Sequence, residues 1–306
     1  MLDRRDLLAV SATALAASLI TSGSASAQGP VVVPETKRGF AQRAGVRIYY
    51  EVTGSGPPVI FVHGIGSNHL TWWQQVDYFS SHFTCVTFCH RGYPPSSDVG
   101  VPDPKDFAED LEALIDHLKY SDVRLVAQSM GGITAVEYIL AHPQHTMRAL
   151  VLSSTSGTIN KSAVRSSDPQ QLAEYNRRAA EASADMERRG VSPPAGDRMA
   201  REQPALHMLY RMIANTSAAF DIEGLRKRLA PMNTRSPDVL RDFGMPTLFV
   251  VGEEDITGFP PFIAEGLARV MPNARVERVA KASHSTYFER ADMFNRLVGD
   301  FLMKVG

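Results

Sequence analysis

The sequence predicts an α/β fold, with a mostly parallel eight-stranded sheet, helices on both faces and one helical cap insertion. Three observations carry that expectation. Short continuous apolar runs recur along the chain, amphipathic stretches of helical period separate them, and a polar stretch from about Thr158 to Arg241 holds no such run. Parallel strands need long connections, and helices supply them, so alternation of this kind specifies a parallel sheet.

Taken in order, Arg38 to Arg43 and Val46 to Val52 read as two strands, and Gly45 between them suggests a hairpin. The turn Gly54-Ser-Gly-Pro-Pro58 leads into Val59 to Val62, apolar throughout as a strand buried on both faces requires. A helix follows from Trp72 to Phe79 and a strand from Thr84 to Phe88. Within Lys105 to Leu118, residues Phe107, Leu111, Leu114, Ile115 and Leu118 fall at helical spacing, and Pro104 suits the helix start. Val123 to Ala127 is a strand, Gly132 to Leu140 a helix and Met147 to Ser153 a strand. The stretch that follows is far too long for a simple loop. It is expected to form helices over Gln170 to Arg189, Arg198 to Ala214 and Ile222 to Leu229. Sheet grammar resumes with a strand at Pro246 to Gly252, a helix at Pro260 to Val270, a strand at Ala274 to Val279 and a closing helix from Ala291 to Val305. The expected organisation is an export signal (1–27), the first part of the core (28–157), a helical cap insertion (158–241) and the second part of the core (242–306).

The 306 residues are 44% hydrophobic and 21% charged, enough for an ordinary core. The net charge of −1 gives no basic excess that would point to nucleic acid or an anionic membrane. The two cysteines, Cys85 and Cys89, fall in one strand-like run. Four residues along a strand span roughly 13 Å, beyond disulfide reach, so two free and buried thiols are expected. A catalytic cysteine is the sharper alternative, but no motif places a partner histidine.

The N-terminus is read separately. Asp3-Arg4-Arg5-Asp6 begins a charged segment, Leu7 to Ile20 is rich in Ala and Leu, and Ala25-Ser26-Ala27 precedes Gln28. That is a positive n-region, a short apolar h-region and a small-residue cleavage site. The apolar stretch is shorter than the roughly 20 residues that cross a bilayer. It resembles a twin-arginine export signal, although Asp3 stands where Ser or Thr is usual and Leu7 where Phe is preferred. An ordinary secretory signal or an uncleaved anchor are the alternatives. Either export route gives a periplasmic or secreted chain beginning near Gln28, with the export machinery as partner and no stable membrane span after cleavage.

Ala127-Gln128-Ser129-Met130-Gly131-Gly132 joins a buried strand to a helix. It matches the nucleophile-elbow pattern G-x-S-x-G, with Ala127 in place of the first Gly. A serine on so sharp a turn needs small neighbours, and the helix below it favours developing negative charge. The bland alternative is a helix N-cap serine. His63-Gly64-Ile65-Gly66 follows the strand ending at Val62.

With these residues in hand, the chain resembles the α/β-hydrolase superfamily. The resemblance implies an α/β-hydrolase fold with Ser129 as nucleophile and the backbone N–H groups of Ile65 and Met130 as oxyanion hole. His63 is then structural. Cys89-His-Arg-Gly-Tyr-Pro-Pro-Ser-Ser97 resembles the family's Arg-Gly-x-Gly-x-Ser turn, with Pro94 replacing a customary Gly. Gly252-Glu253-Glu254-Asp255 resembles the acid-bearing turn, with Asp255 in the matching position. Ala282-Ser283-His284-Ser285 resembles the histidine loop. The order Ser, Asp, His is the one this fold uses. The other main location for the acid, after the sixth strand, reads Ser153-Ser-Thr-Ser-Gly157 and has no carboxylate. Of the nine histidines, His142 and His145 lie just past a helix and are expected at the surface without a metal. His207 lies in the insertion and is expected to decorate a helix, with reaching the pocket as the alternative.

A serine hydroxyl attacks only when an imidazole takes its proton and a carboxylate orients that imidazole. The resemblance therefore implies hydrolysis of a carboxylic ester or lactone through an acyl-enzyme, with no cofactor and a small-molecule substrate. The stretch Gly66 to Gln75 is also similar to enol-lactonase-like members. Perhydrolysis is a conceivable side reaction. Hydrolysis of a C–C bond in dienoic ring-cleavage products and a non-catalytic ligand receptor remain as alternatives. Within the insertion, Met208, Leu209 and Met212 are expected to line an apolar acyl pocket or to pack between cap helices.

Overall fold

A computed structural model describes residues 34–97, 99–164, 168–217 and 221–305. The expected export signal, residues 1 to 27, lies outside the described residues.

The sheet has eight strands in the order β1-β2-β4-β3-β5-β6-β7-β8. They are β1 (Thr36–Arg43), β2 (Val46–Thr53), β3 (Pro58–Val62), β4 (Thr84–Phe88), β5 (Val123–Gln128), β6 (Met147–Ser153), β7 (Thr247–Gly252) and β8 (Ala274–Val279). The hairpin β1–β2 and the pair β2–β4 are antiparallel. Every other pair is parallel. The expected fold class is therefore what forms.

The continuous apolar runs become the central strands because helices cover both faces. Side chains alternate across a strand. Ile60, Val62, Leu125, Ala127, Phe249 and Val251 enter one apolar layer with Leu111, Leu114 and Val136. Val59, Phe61, Val126, Leu248 and Val250 enter the other with Trp72, Phe79, Phe294 and Val298. Each large side chain buried this way contributes roughly 1.5–3 kcal/mol relative to exposure. The covering helices are α1 (Trp73–Phe79), α2 (Phe107–Leu118), α3 (Met130–Ala141), α8 (Pro261–Ala268) and α10 (Ala291–Lys304). A one-turn helix, α9 (Thr286–Glu289), precedes the last of these.

Between β6 and β7 lie α4 (Pro169–Arg188), α5 (Gly196–Glu202), α6 (Pro204–Asn215) and α7 (Ile222–Leu229). The single helix expected over Arg198 to Ala214 is two helices. Gln203 takes an extended φ of −135° and Pro204 starts α6. Proline has no N–H to continue the preceding helix, and its ring forces the residue before it out of helical geometry. The two ends of the segment are tied together at the sheet. Ile159 bridges Arg235, with Asn160 N–H donating to Arg235 O at 2.9 Å and Arg235 N–H to Thr158 O at 3.1 Å. The Arg235 guanidinium also grips Glu137 of α3 through two bonds of 2.6 Å.

Candidate functional site

Ser129 sits where β5 hands over to α3, with φ 52° and ψ −119°. A non-glycine residue in that region costs of order 1–3 kcal/mol and persists only where its surroundings hold it. Three neighbours do so. Ser129 N–H donates to Ser153 O at 3.1 Å, and Ser129 O accepts from Gly132 N–H at 2.9 Å. A Cβ on Gly131 would strike the backbone of Val62, and one on Gly132 would strike Thr155. Only small residues let the turn approach the adjacent strands. Ser129 occupies the N-cap position of α3, yet its side chain makes no capping bond. The ordinary N-cap serine has extended backbone angles and a capping hydroxyl. This serine has neither.

The loop after β3 lies directly against it. A Cβ on Gly64 would collide with Gln128 Oε1 and crowd Ser129 Cβ at 3.1 Å. His63 holds that loop from below, fully buried. Its Nδ1 donates to Gly64 O at 2.8 Å, and its Nε2 accepts from His90 N–H at 3.1 Å. Burial pushes the His63 imidazole down to about 3, so it stays neutral and keeps this tautomer. Ile65 and Met130, the expected oxyanion donors, both line the cavity that Ser129 lines.

The structure brings His284 and Asp255 together. Nδ1 of His284 lies 2.9 Å from Asp255 Oδ2, and both side chains are buried. The other carboxylate oxygen accepts from Thr257 N–H at 2.8 Å and Thr257 Oγ1 at 2.9 Å. Gly252 makes the approach feasible, because a Cβ there would strike the backbone of Ala282 and Ser283. The neighbouring carboxylates point elsewhere. Glu254 pairs with Arg198 through bonds of 2.9 and 2.5 Å, and Glu253 lies 3.2 Å from Arg278.

Ser129 and His284 together line two adjoining chambers, of about 270 and 440 Å³. The helices between β6 and β7 form part of both walls. Tyr175 of α4 donates its hydroxyl to Asp255 O at 2.8 Å and accepts from Gly258 N–H at 3.2 Å. The Tyr210 hydroxyl of α6 accepts from Ser285 Oγ at 3.0 Å, and Pro194 O accepts from Ser285 N–H at 3.0 Å. These contacts bind the helical segment to the loops carrying Asp255 and His284.

Met208 and Met212 do not line an apolar acyl pocket. They are 60% and 59% exposed and line neither chamber. The buried face of α6 is His207, Tyr210 and Ile213, and Tyr210 lines the larger chamber. Spaced four residues apart, the two methionines share the opposite stripe of the helix. His207 is buried too, its Nε2 accepting from Ser192 N–H at 3.2 Å. His142 and His145 stack on each other, with centroids 5.5 Å apart, beside Glu109 and Glu112 of α2. Among the described residues no group of three or more His, Cys, Asp or Glu side chains is arranged to hold a metal ion. Cys85 and Cys89 are free and buried. Cys89 does have a histidine partner, His69 Nδ1 at 3.0 Å, but burial pushes its thiol up to about 12, the reverse of what a nucleophile needs.

Glu289 falls in no motif of the sequence, yet it is buried beside the histidine loop. Its Oε2 accepts from Ser283 N–H at 2.6 Å, while Oε1 has no partner among the described residues. Burial pushes the carboxyl up to about 7, against the pull of the Ser283 bond. The folded chain thus holds this proton more tightly than the unfolded chain. The resulting stability is complete below about pH 4.5 and fades as pH rises through about 7. Glu289→Gln keeps an acceptor for Ser283 but cannot ionise. Between pH 5 and pH 8, thermal unfolding should show the wild type losing about 1–2 kcal/mol more than the variant. Parallel losses would show that Glu289 is not held protonated.

Residues 57–291 match the alpha/beta hydrolase fold family. A non-heme chloroperoxidase of Kitasatospora aureofaciens is 28% identical over 282 residues, which span 86% of this chain and 98% of that protein. A pimeloyl-(acyl-carrier protein) methyl ester esterase of Vibrio atlanticus is 27% identical over 267 residues, spanning 84% and 98%. The crystal structure of the enol-lactonase from Burkholderia xenovorans superposes with a TM-score of 0.67 at 24% identity, covering 87% of this chain and 100% of that one. With the match extending from the turn before β3 to the start of the last helix, the chain belongs to the alpha/beta hydrolase family.

Proposed function

We infer that the protein hydrolyses a carboxylic ester or lactone through an acyl-enzyme on Ser129. The observation that carries this is the strained, uncapped Ser129 opening onto the same cavity as His284, whose far nitrogen is held by buried Asp255. In the proposed reaction His284 Nε2 takes the Ser129 proton as Oγ bonds to the carbonyl carbon. The carbonyl oxygen becomes an oxyanion facing the N–H groups of Ile65 and Met130. The imidazolium, steadied by Asp255, returns its proton to the departing alkoxide as the acyl–oxygen bond breaks. Water then repeats the cycle and releases the acid. For a lactone, acid and alcohol leave as one molecule.

The helices between β6 and β7 serve as a cap over the two chambers in this reading, their ends pinned by the Ile159–Arg235 bridge. Two chambers meeting at the serine suit a substrate with a group on each side of the scissile bond. The esterase among the relatives and the enol-lactonase among the solved structures fit the same chemistry. Processing near Gln28 and export to the periplasm complete the proposal for the full chain. A panel of simple esters and lactones, followed by base consumption at constant pH, tests the activity. Turnover of at least one class is expected. A chain that binds these compounds but turns over none is a receptor, not a hydrolase.

A further inference from the structure

The smaller chamber differs from an apolar acyl tunnel in its chemistry. Lys161 and Arg226 both line it, and no Asp or Glu does so among the described residues. Lys161 is half-buried and donates from Nζ to Gly258 O at 2.6 Å, which fixes its ammonium at the wall. Arg226, on α7, stands more exposed, 3.4 Å from Glu223 at the surface. A third group points to a ligand independently of charge. Ser154 lines the same chamber, is 2% exposed and is held at φ 50°, outside the ordinary range for a serine. Its buried Oγ finds no hydrogen-bond partner among the described residues. A buried hydroxyl left without a partner is costly unless something enters to meet it.

We propose that this chamber is a carboxylate subsite, so that the preferred substrate is an ester or lactone carrying a second, ionised carboxylate group. The inference rests on the ester-hydrolase reading above and adds the substrate class. A carboxylate has only acceptors. It would accept from the Ser154 hydroxyl and sit between the Lys161 ammonium and the Arg226 guanidinium. The nearby Asp255 carboxylate does not take that place, since its oxygens are engaged by His284 and Thr257. Burial pulls the Lys161 ammonium down from its usual value while Asp255 holds it up, and a second anion in the chamber would hold it further. Arg226 stands between the two chambers and lines both, but the larger one also holds Glu187 and lacks Lys161 and Ser154, so it is left for the uncharged side of the substrate.

The experiment compares monomethyl glutarate and monomethyl adipate with methyl valerate and methyl hexanoate, neutral esters of matched length. At low salt, kcat/KM for at least one acidic ester should exceed its neutral match about tenfold or more. Lys161→Met and Arg226→Gln should each lower that ratio about tenfold, chiefly through KM, and Arg226→Lys should restore part of it. Ser154→Ala should lower the same ratio by a smaller factor and provides a second route if Lys161→Met fails to fold. Arg211→Ala, an exposed position outside both chambers, should leave the ratio unmoved. Neutral esters preferred throughout, or a ratio indifferent to Lys161, Arg226 and Ser154, overturns the subsite. Calorimetry with glutarate on Ser129→Ala separates this from failure of the hydrolase reading. Glutarate binding that weakens about tenfold with Lys161→Met upholds the subsite even if no ester is cleaved, and absence of binding rejects it.

Discussion

Ser129→Ala should abolish ester turnover, by as much as about 10⁶-fold, the scale set by removing the nucleophile of a serine protease. No other group on the cavity wall stands where Ser129 does, at the head of α3 with its hydroxyl released from capping. Rate above that of the uncatalysed reaction would survive only through the oxyanion donors and substrate binding. The fold should be retained. Alanine removes one hydroxyl but keeps the backbone at φ 52°, so the local strain stays and the melting temperature should move little. A fluorophosphonate should label the wild type at Ser129 and leave the variant unlabelled. Wild-type turnover by the alanine variant, or labelling mapped to another residue, would remove Ser129 from the mechanism.

The parts of the molecule legible in the sequence were those set by one strong local rule. Val59 to Val62, Leu125 to Ala127 and Leu248 to Val251 are apolar on both faces, which only a central strand buried from two sides explains. The small residues around Ser129 follow from backbone sterics and needed no tertiary information. Other features depend on what a helix faces. Along α6 the sequence offers two apolar stripes, one holding Met208 and Met212 and the other Tyr210 and Ile213. Periodicity shows that stripes exist but not which one turns inward, and the more hydrophobic-looking pair proved to be outside. The break at Pro204 follows from its missing N–H, but helical composition on both sides masks it. Lys161, Arg226 and Ser154 carry no local signature at all. Ser154 and Lys161 lie seven residues apart in the loop after β6 and Arg226 lies on α7, and only the fold of the helical segment brings all three to one chamber.

Asp255→Asn should lower turnover by about 10⁴-fold while leaving the loop in place. The turn offers three carboxylates in succession, so composition alone cannot choose among them. Geometry separates them. Asp255 is the one within hydrogen-bond distance of His284, at 2.9 Å, and its side chain is shut away from water. Asparagine at this position can keep accepting from Thr257 through its carbonyl oxygen. Its amide group, however, presents N–H to His284 Nδ1. A donor there requires Nδ1 to be the unprotonated nitrogen, which puts the proton on Nε2. Nε2 can then no longer take the proton of Ser129, and no carboxylate remains to steady the imidazolium. The loss should therefore fall on kcat and ease at high pH, where hydroxide begins to substitute for the base. Glu253→Gln and Glu254→Gln break ion pairs with Arg278 and Arg198 that are about 40% exposed on the carboxylate side. Exposed pairs are worth roughly 0–1 kcal/mol, so these variants should stay within a few-fold of wild type. If Asp255→Asn remained active and one of the glutamine variants were dead, the acid would belong to that glutamate and the loop would have to be reoriented to bring it under His284.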